Sequence, residues 1–101
     1  MDDCFDALAN IHRRRVLVAL LDHNPQRDGV AVPEDVHDGE KALEALQIEL
    51  YHTHLPRLEE AGFIHWNPDT HEVVKGPRFD KIRPLLELIR DHADELPDDW
   101  L

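Results

Sequence analysis

The chain has 101 residues, with 22 acidic side chains against 11 Lys or Arg and a formal net charge of −11 at pH 7. That length builds one small domain and leaves no room for a catalytic cleft on its own scaffold. Hydrophobic residues make up 42% of the chain, which excludes a disordered tail.

Cys4 is the only cysteine, so no disulfide framework or cysteine-based metal site is available within one chain. No apolar run approaches the roughly 20 residues of a membrane span, and no signal peptide is readable. A cytoplasmic protein with no membrane partner is expected. Only Lys41, Lys75 and Lys81 are lysines. Many acids and few lysines is the surface expected in molar salt, where the Debye length falls to about 3 Å and self-repulsion is screened. A halophile's protein is the reading; the alternative is an ordinary acidic protein with a basic partner.

The first elements fall between residues 2 and 23. Phe5, Leu8 and Ala9 fit a short amphipathic helix. Asn10 is a good N-cap for a second helix from Ile11 to Asp22, with Val16, Leu17, Ala19, Leu20 and Leu21 mostly buried. Asn24-Pro25 ends that helix, because the residue before proline avoids the helical region. Pro25 to Gly29 reads as a polar loop. Val30 to Gly39 reads either as a one- or two-turn helix opened by Pro33 or as an irregular loop.

Residues 40–62 are strongly helical. Leu43, Leu46, Leu50, His54 or Leu55, and Leu58 recur at spacings of three and four, and Gly62 suits the residue after the C-cap. Pro56 has no N–H to offer the His52 carbonyl and is expected to kink the helix. Residues 63–75 read as a hairpin, with Ile64, Trp66, Val73 and Val74 as strand formers around the turn Asn67-Pro68-Asp69-Thr70. After Gly76-Pro77, residues 78–96 carry an apolar stripe, Phe79, Ile82, Leu85, Leu86, Ile89 and Ala93, on a last helix that Pro84 bends or restarts. Leu96 to Leu101 reads as an acidic tail. The fold class is mostly α with a small β-hairpin wing: a helix-turn-helix, a wing and a closing helix.

With that order in hand, two runs carry a resemblance. Ala7-Leu8-Ala9-Asn10-Ile11-His12-Arg13-Arg14-Arg15-Val16-Leu17 resembles the opening of ArsR-type winged-helix regulators. His54-Leu55-Pro56-Arg57-Leu58-Glu59-Glu60-Ala61-Gly62-Phe63-Ile64 resembles the end of their recognition helix and the start of the wing. The chain is also similar to short winged-helix proteins of halophilic archaea, whose middle carries a His-x-His-Leu-Pro stretch. The resemblance covers about Phe5 to Phe79. It implies a transcription regulator that binds promoter DNA as a homodimer, with Leu46 to Ala61 entering the major groove. By position, Tyr51, His52, Thr53 and Arg57 are implied to read DNA, with His71 and Lys75 approaching from the wing. The terminal helices are implied to form the dimer through Phe5, Leu8, Phe79, Ile82, Leu86 and Ile89.

The charges pull the other way. From Leu43 to Lys75, Glu44, Glu49, Glu59, Glu60, Asp69 and Glu72 face only Arg57 and Lys75 as fixed cations. DNA affinity rests heavily on phosphate neutralisation and falls with salt, so readout here leans on base contacts, bridging cations or histidine protonation. A winged helix kept as a protein–protein module is the alternative function.

Several features have a plainer reading beside the functional one. Arg13-Arg14-Arg15 is a dense basic cluster suited to phosphate, but positive charge at a helix start favours pairing with acids such as Asp6. His52 and His54 lie about 200° apart on a regular helix and cannot share one ion. One packing inward and one facing out is the reading, with ligand sets across a dimer involving His12 or His92 as the alternative. Cys4 reads as inert more readily than as a redox sensor. Trp66 and Trp100 suit packing rather than base stacking. The sequence has no serine, no Gly-rich phosphate loop and no His-Glu-x-x-His spacing, so no enzyme and no cofactor is expected.

Overall fold

The computed structural model describes residues 2–21 and 42–97, together with the backbone of 30–31. Helix α1 (Asp2–Leu8) and helix α2 (Ile11–Leu21) come first. The break between them is set by Asn10, whose Oδ1 accepts the His12 N–H at 2.8 Å. Its carbonyl accepts the Arg14 N–H at 3.0 Å as the first bond of α2. This is the N-cap geometry that the sequence predicts. Val16, Leu17 and Leu20 form the buried face of α2.

The segment expected to be one kinked helix is three consecutive pieces: α3 (Leu43–Glu49), a π turn (Leu50–His54) and α4 (Leu55–Glu60). The Leu55 N–H reaches back five residues to the Leu50 carbonyl. Pro56 accounts for the widening: its missing N–H frees the His52 carbonyl, and its ring crowds that same carbonyl in a tight α turn. The extra residue in the turn also resolves a choice left open by periodicity. Both His54 and Leu55 point inward, with Leu46, Leu50 and Leu58. Burying each leucine contributes about 1.5–3 kcal/mol.

Gly62 ends α4. The Phe63 N–H bonds the Leu58 carbonyl at 3.1 Å, and the Gly62 N–H bonds that of Glu59 at 3.0 Å. With Gly62 at φ +86°, this is a Schellman ending. The chain then enters β2 (Ile64–Asn67) and β3 (Glu72–Lys75), paired antiparallel with Trp66 opposite Val73. Asn67 Oδ1 accepts the Asp69 N–H at 3.0 Å, closing the expected turn from inside. Gly76 is required by packing, since a Cβ there would lie 2.5 Å from the Gly62 carbonyl oxygen.

One strand was not expected. Val30 and Ala31, read from sequence as weak helix or loop, form β1 and pair with Val73 and Glu72. The sheet is therefore three-stranded, ordered β1-β3-β2. A two-residue strand has too few positions to show alternation and exists only because β3 offers an open edge. The Asn24-Pro25 stop, the Pro25–Gly29 loop, the Pro33 helix start and the tail beyond Pro97 lie outside the described residues.

Helix α5 (Phe79–Asp91) closes the fold and runs through Pro84 without interruption, ending in a 3₁₀ turn at Ala93–Glu95. Here the expected dimer-contact residues need correction. Phe79, Ile82 and Leu86 are 1%, 0% and 0% exposed within the single chain, and Leu8 is also buried. Ile89 packs against the same core. The stripe expected to meet a partner helix instead packs into its own domain, where α5 lies against α2. Phe5 and Leu88 are the apolar side chains of α1 and α5 that remain on the surface.

Candidate functional site

The rod from Leu43 to Glu60 and the hairpin behind it form one docked unit. Tyr51 leaves the π turn toward the wing and meets the Trp66 ring edge-on, with centroids 5.0 Å apart. Its ring also stacks on His71 at 5.8 Å, and its hydroxyl hydrogen-bonds His71 Nδ1. His71 takes this place from a left-handed backbone, φ 59°, at the end of the turn. From α4, Glu59 Oε2 accepts the Trp66 backbone N–H at 3.0 Å. The sequence pointed to Tyr51 and His71 as separate DNA contacts. The structure brings them together as the clasp between rod and wing.

His52 and Thr53 stand exposed on the outer side of the π turn. His54 is buried, 6% exposed. The two histidines thus face opposite ways, and among the described residues no three His, Cys, Asp or Glu side chains gather as a metal site. Cys4 is buried as well.

His54 is held by Arg13, itself 5% exposed, whose Nη1 donates to His54 Nδ1 at 3.0 Å. Arginine has no lone pair to offer, so Nδ1 is the acceptor and the ring proton sits on Nε2. Burial, then the positive charges of Arg13 and its neighbours, lower the His54 pKa to about 4. The ring is therefore neutral near pH 7. Burial also pushes the Arg13 guanidinium down, while Asp6 pulls it up.

Two further donors of the basic cluster serve α1. Arg13 Nη2 bonds the Asp6 carbonyl at 2.9 Å, and Arg14 Nη1 bonds the Leu8 carbonyl at 2.7 Å. Two arginines of α2 thus cap the C-terminal end of α1, where orphan carbonyls and the negative end of the dipole favour cations. The pairing expected with Asp6 is made through its backbone. His12, its ring centroid 5.7 Å from that of His54, has Nε2 3.4 Å from Glu49 of α3.

Arg57, expected beside Tyr51, His52 and Thr53, points instead to α1, with Nη1 3.4 Å from Asp6 Oδ1. Lys75 sits at the base of the wing with its ammonium 5.4 Å from the Phe79 ring centroid. Arg78 was not singled out from sequence, because it lies in the punctuation between wing and last helix. Its Nη1 donates to the Ala61 carbonyl at 3.0 Å and lies 3.4 Å from Asp3 Oδ2, with the guanidinium over the Phe63 ring.

Residues 5–74 match the model of a family described as a domain of unknown function, DUF7344. The chain belongs to this family. The matched stretch runs from α1 to β3 and contains Asp6, Arg13, His54, Arg57 and the Tyr51–Trp66–His71 clasp. It ends before Arg78 and α5. No curated protein and no solved structure matches the chain. No helix among the described residues is long and apolar enough to cross a membrane.

Proposed function

We propose that this chain is a winged-helix DNA-binding protein, a transcription regulator of the ArsR-type arrangement acting as a homodimer in a salt-rich cytoplasm. One observation carries the reading: a helical rod presents His52 and Thr53 outward, and the wing that follows is clasped to the same rod through Tyr51, Trp66 and His71. A rod with free polar side chains beside a rigid hairpin suits a major groove with backbone contact alongside. The roles of Tyr51 and His71 change within this reading. They position the wing, and base contact falls to His52 and Thr53. The excess of acid works against phosphate contact, a contribution that is small in high salt in any case, so readout falls to base contacts.

A second reading has a specific observation behind it. Arg57, the one arginine of the rod, is engaged by Asp6, and its acidic neighbours outnumber the wing's cations. That favours a protein partner with a basic surface. Fluorescence anisotropy with promoter DNA, at low salt and at about 2 M KCl, separates the two readings. Circular dichroism would verify folding, and unrelated DNA would serve as competitor. Saturable, sequence-selective binding, weakened in His52→Ala/Thr53→Ala, is the expected result. A folded protein that binds no duplex at either salt overturns the DNA reading.

A further inference from the structure

Five charged side chains, three acids and two arginines, meet where the rod, the wing base and α1 come together. Asp3, Asp6, Arg57, Glu60, Ala61 and Arg78 line a surface notch of about 370 Å³. Arg57 enters from α4 and Arg78 from the start of α5. Each is met by one carboxylate of α1, at 3.4 Å in both cases. The two aspartates lie three residues apart, so they share one face of α1.

Arg78 is placed with care. Its stem lies against Gly62, where any Cβ would come within 2.8 Å of Arg78 Cδ. Its guanidinium is steered by the Ala61 carbonyl and the Phe63 ring. Side chains at both aspartates and both arginines are about half exposed, so neither ion pair is locked. Pairs of this kind contribute little to stability and are open to exchange. A phosphate group offers the planar guanidinium the same two-oxygen, bidentate recognition as a carboxylate.

We propose that Arg57 and Arg78 form a phosphate-binding notch that α1 masks, Asp3 and Asp6 standing where phosphate oxygens would otherwise lie. The inference rests on the DNA reading for its natural ligand, a phosphodiester backbone. The notch makes the N-terminal helix an autoinhibitory element. Exchanging its half-exposed carboxylates for phosphate frees two cations on a surface otherwise short of them.

The test compares wild type, Asp3→Asn/Asp6→Asn, and Glu87→Gln/Asp94→Asn. The last carries the same charge change on acids that line no part of the notch and pair with no arginine among the described residues. Binding to a generic duplex is read by anisotropy across a salt series, and binding to inorganic tripolyphosphate by calorimetry. The unmasked variant is expected to bind duplex roughly 3- to 10-fold tighter than the control variant. Its log K against log salt should steepen by up to about two. Adding Arg57→Ala/Arg78→Ala to the unmasked variant should cancel both changes.

Equal tightening in the unmasked and control variants overturns the mask and leaves the DNA reading intact. If no form binds duplex, but tripolyphosphate binds the unmasked variant and is lost with the arginines, the mask stands and the DNA reading falls. Absence of binding to either probe by the folded unmasked variant overturns the mask.

Discussion

His52 and His54 are two residues apart, yet one side of the π turn is built and the other is left open. On the inner side, His54 is neutral, buried and bonded to an arginine 41 residues away in sequence. On the outer side, His52 and Thr53 are exposed. The contrast shows what a charged cluster is for in this protein. Arg13 and Arg14 look from sequence like a patch for phosphate. They serve a helix end and a histidine ring, while Arg57, Arg78, Arg83 and Arg90 are held by aspartates. Buried contacts are concentrated on the inner face, and the outer one leaves its polar side chains exposed.

The sharpest way to break the comparison is Arg13→Ala. It removes a buried guanidinium and leaves His54 Nδ1 without its donor, while the Asp6 carbonyl keeps only the Ala9 N–H. A loss of about 2–4 kcal/mol is expected in urea unfolding. A loss below about 0.5 kcal/mol would mean the inner face is no more demanding than the surface.

Acid provides the next largest effect. The folded pKa of His54 is about 4 against an ordinary 6.5. Between those values the unfolded chain binds the extra proton, so stability rises with pH through this window. The contribution is fully present above about pH 6.5 and is lost as pH falls toward 4, an effect of up to roughly 3 kcal/mol. His54→Gln should flatten that part of the stability profile.

The smallest expected effect is His52→Ala. Stability should stay within about ±0.5 kcal/mol, because the side chain is exposed. A larger loss would show that the outer face also carries structure and would weaken the division drawn here.

Local chemistry was legible in the sequence wherever the interacting residues are near neighbours. Asn10 capping α2, the Gly62 ending of α4 and the turn around Asn67 each involve bonds spanning two to five residues. The core stripe of α5 was equally readable, but its destination was not. Amphipathic periodicity says that one face is apolar, and it is silent on whether that face meets the same chain or another copy. Here Phe79, Ile82 and Leu86 meet their own domain. Strand β1 was missed because two residues carry no pattern of their own.

The sequence by itself determined the helices, the wing and the acidic balance, because capping, turn chemistry and periodicity act over one or two turns of chain. Only the tertiary structure decided that the rod widens into a π turn and that Arg13 finds His54. The same holds for Tyr51 clasping the wing and for Asp3 and Asp6 covering Arg78 and Arg57. Each of these pairs joins side chains from different elements, between 20 and 75 residues apart. Their meeting depends on how the hydrophobic faces stack, which no local rule encodes.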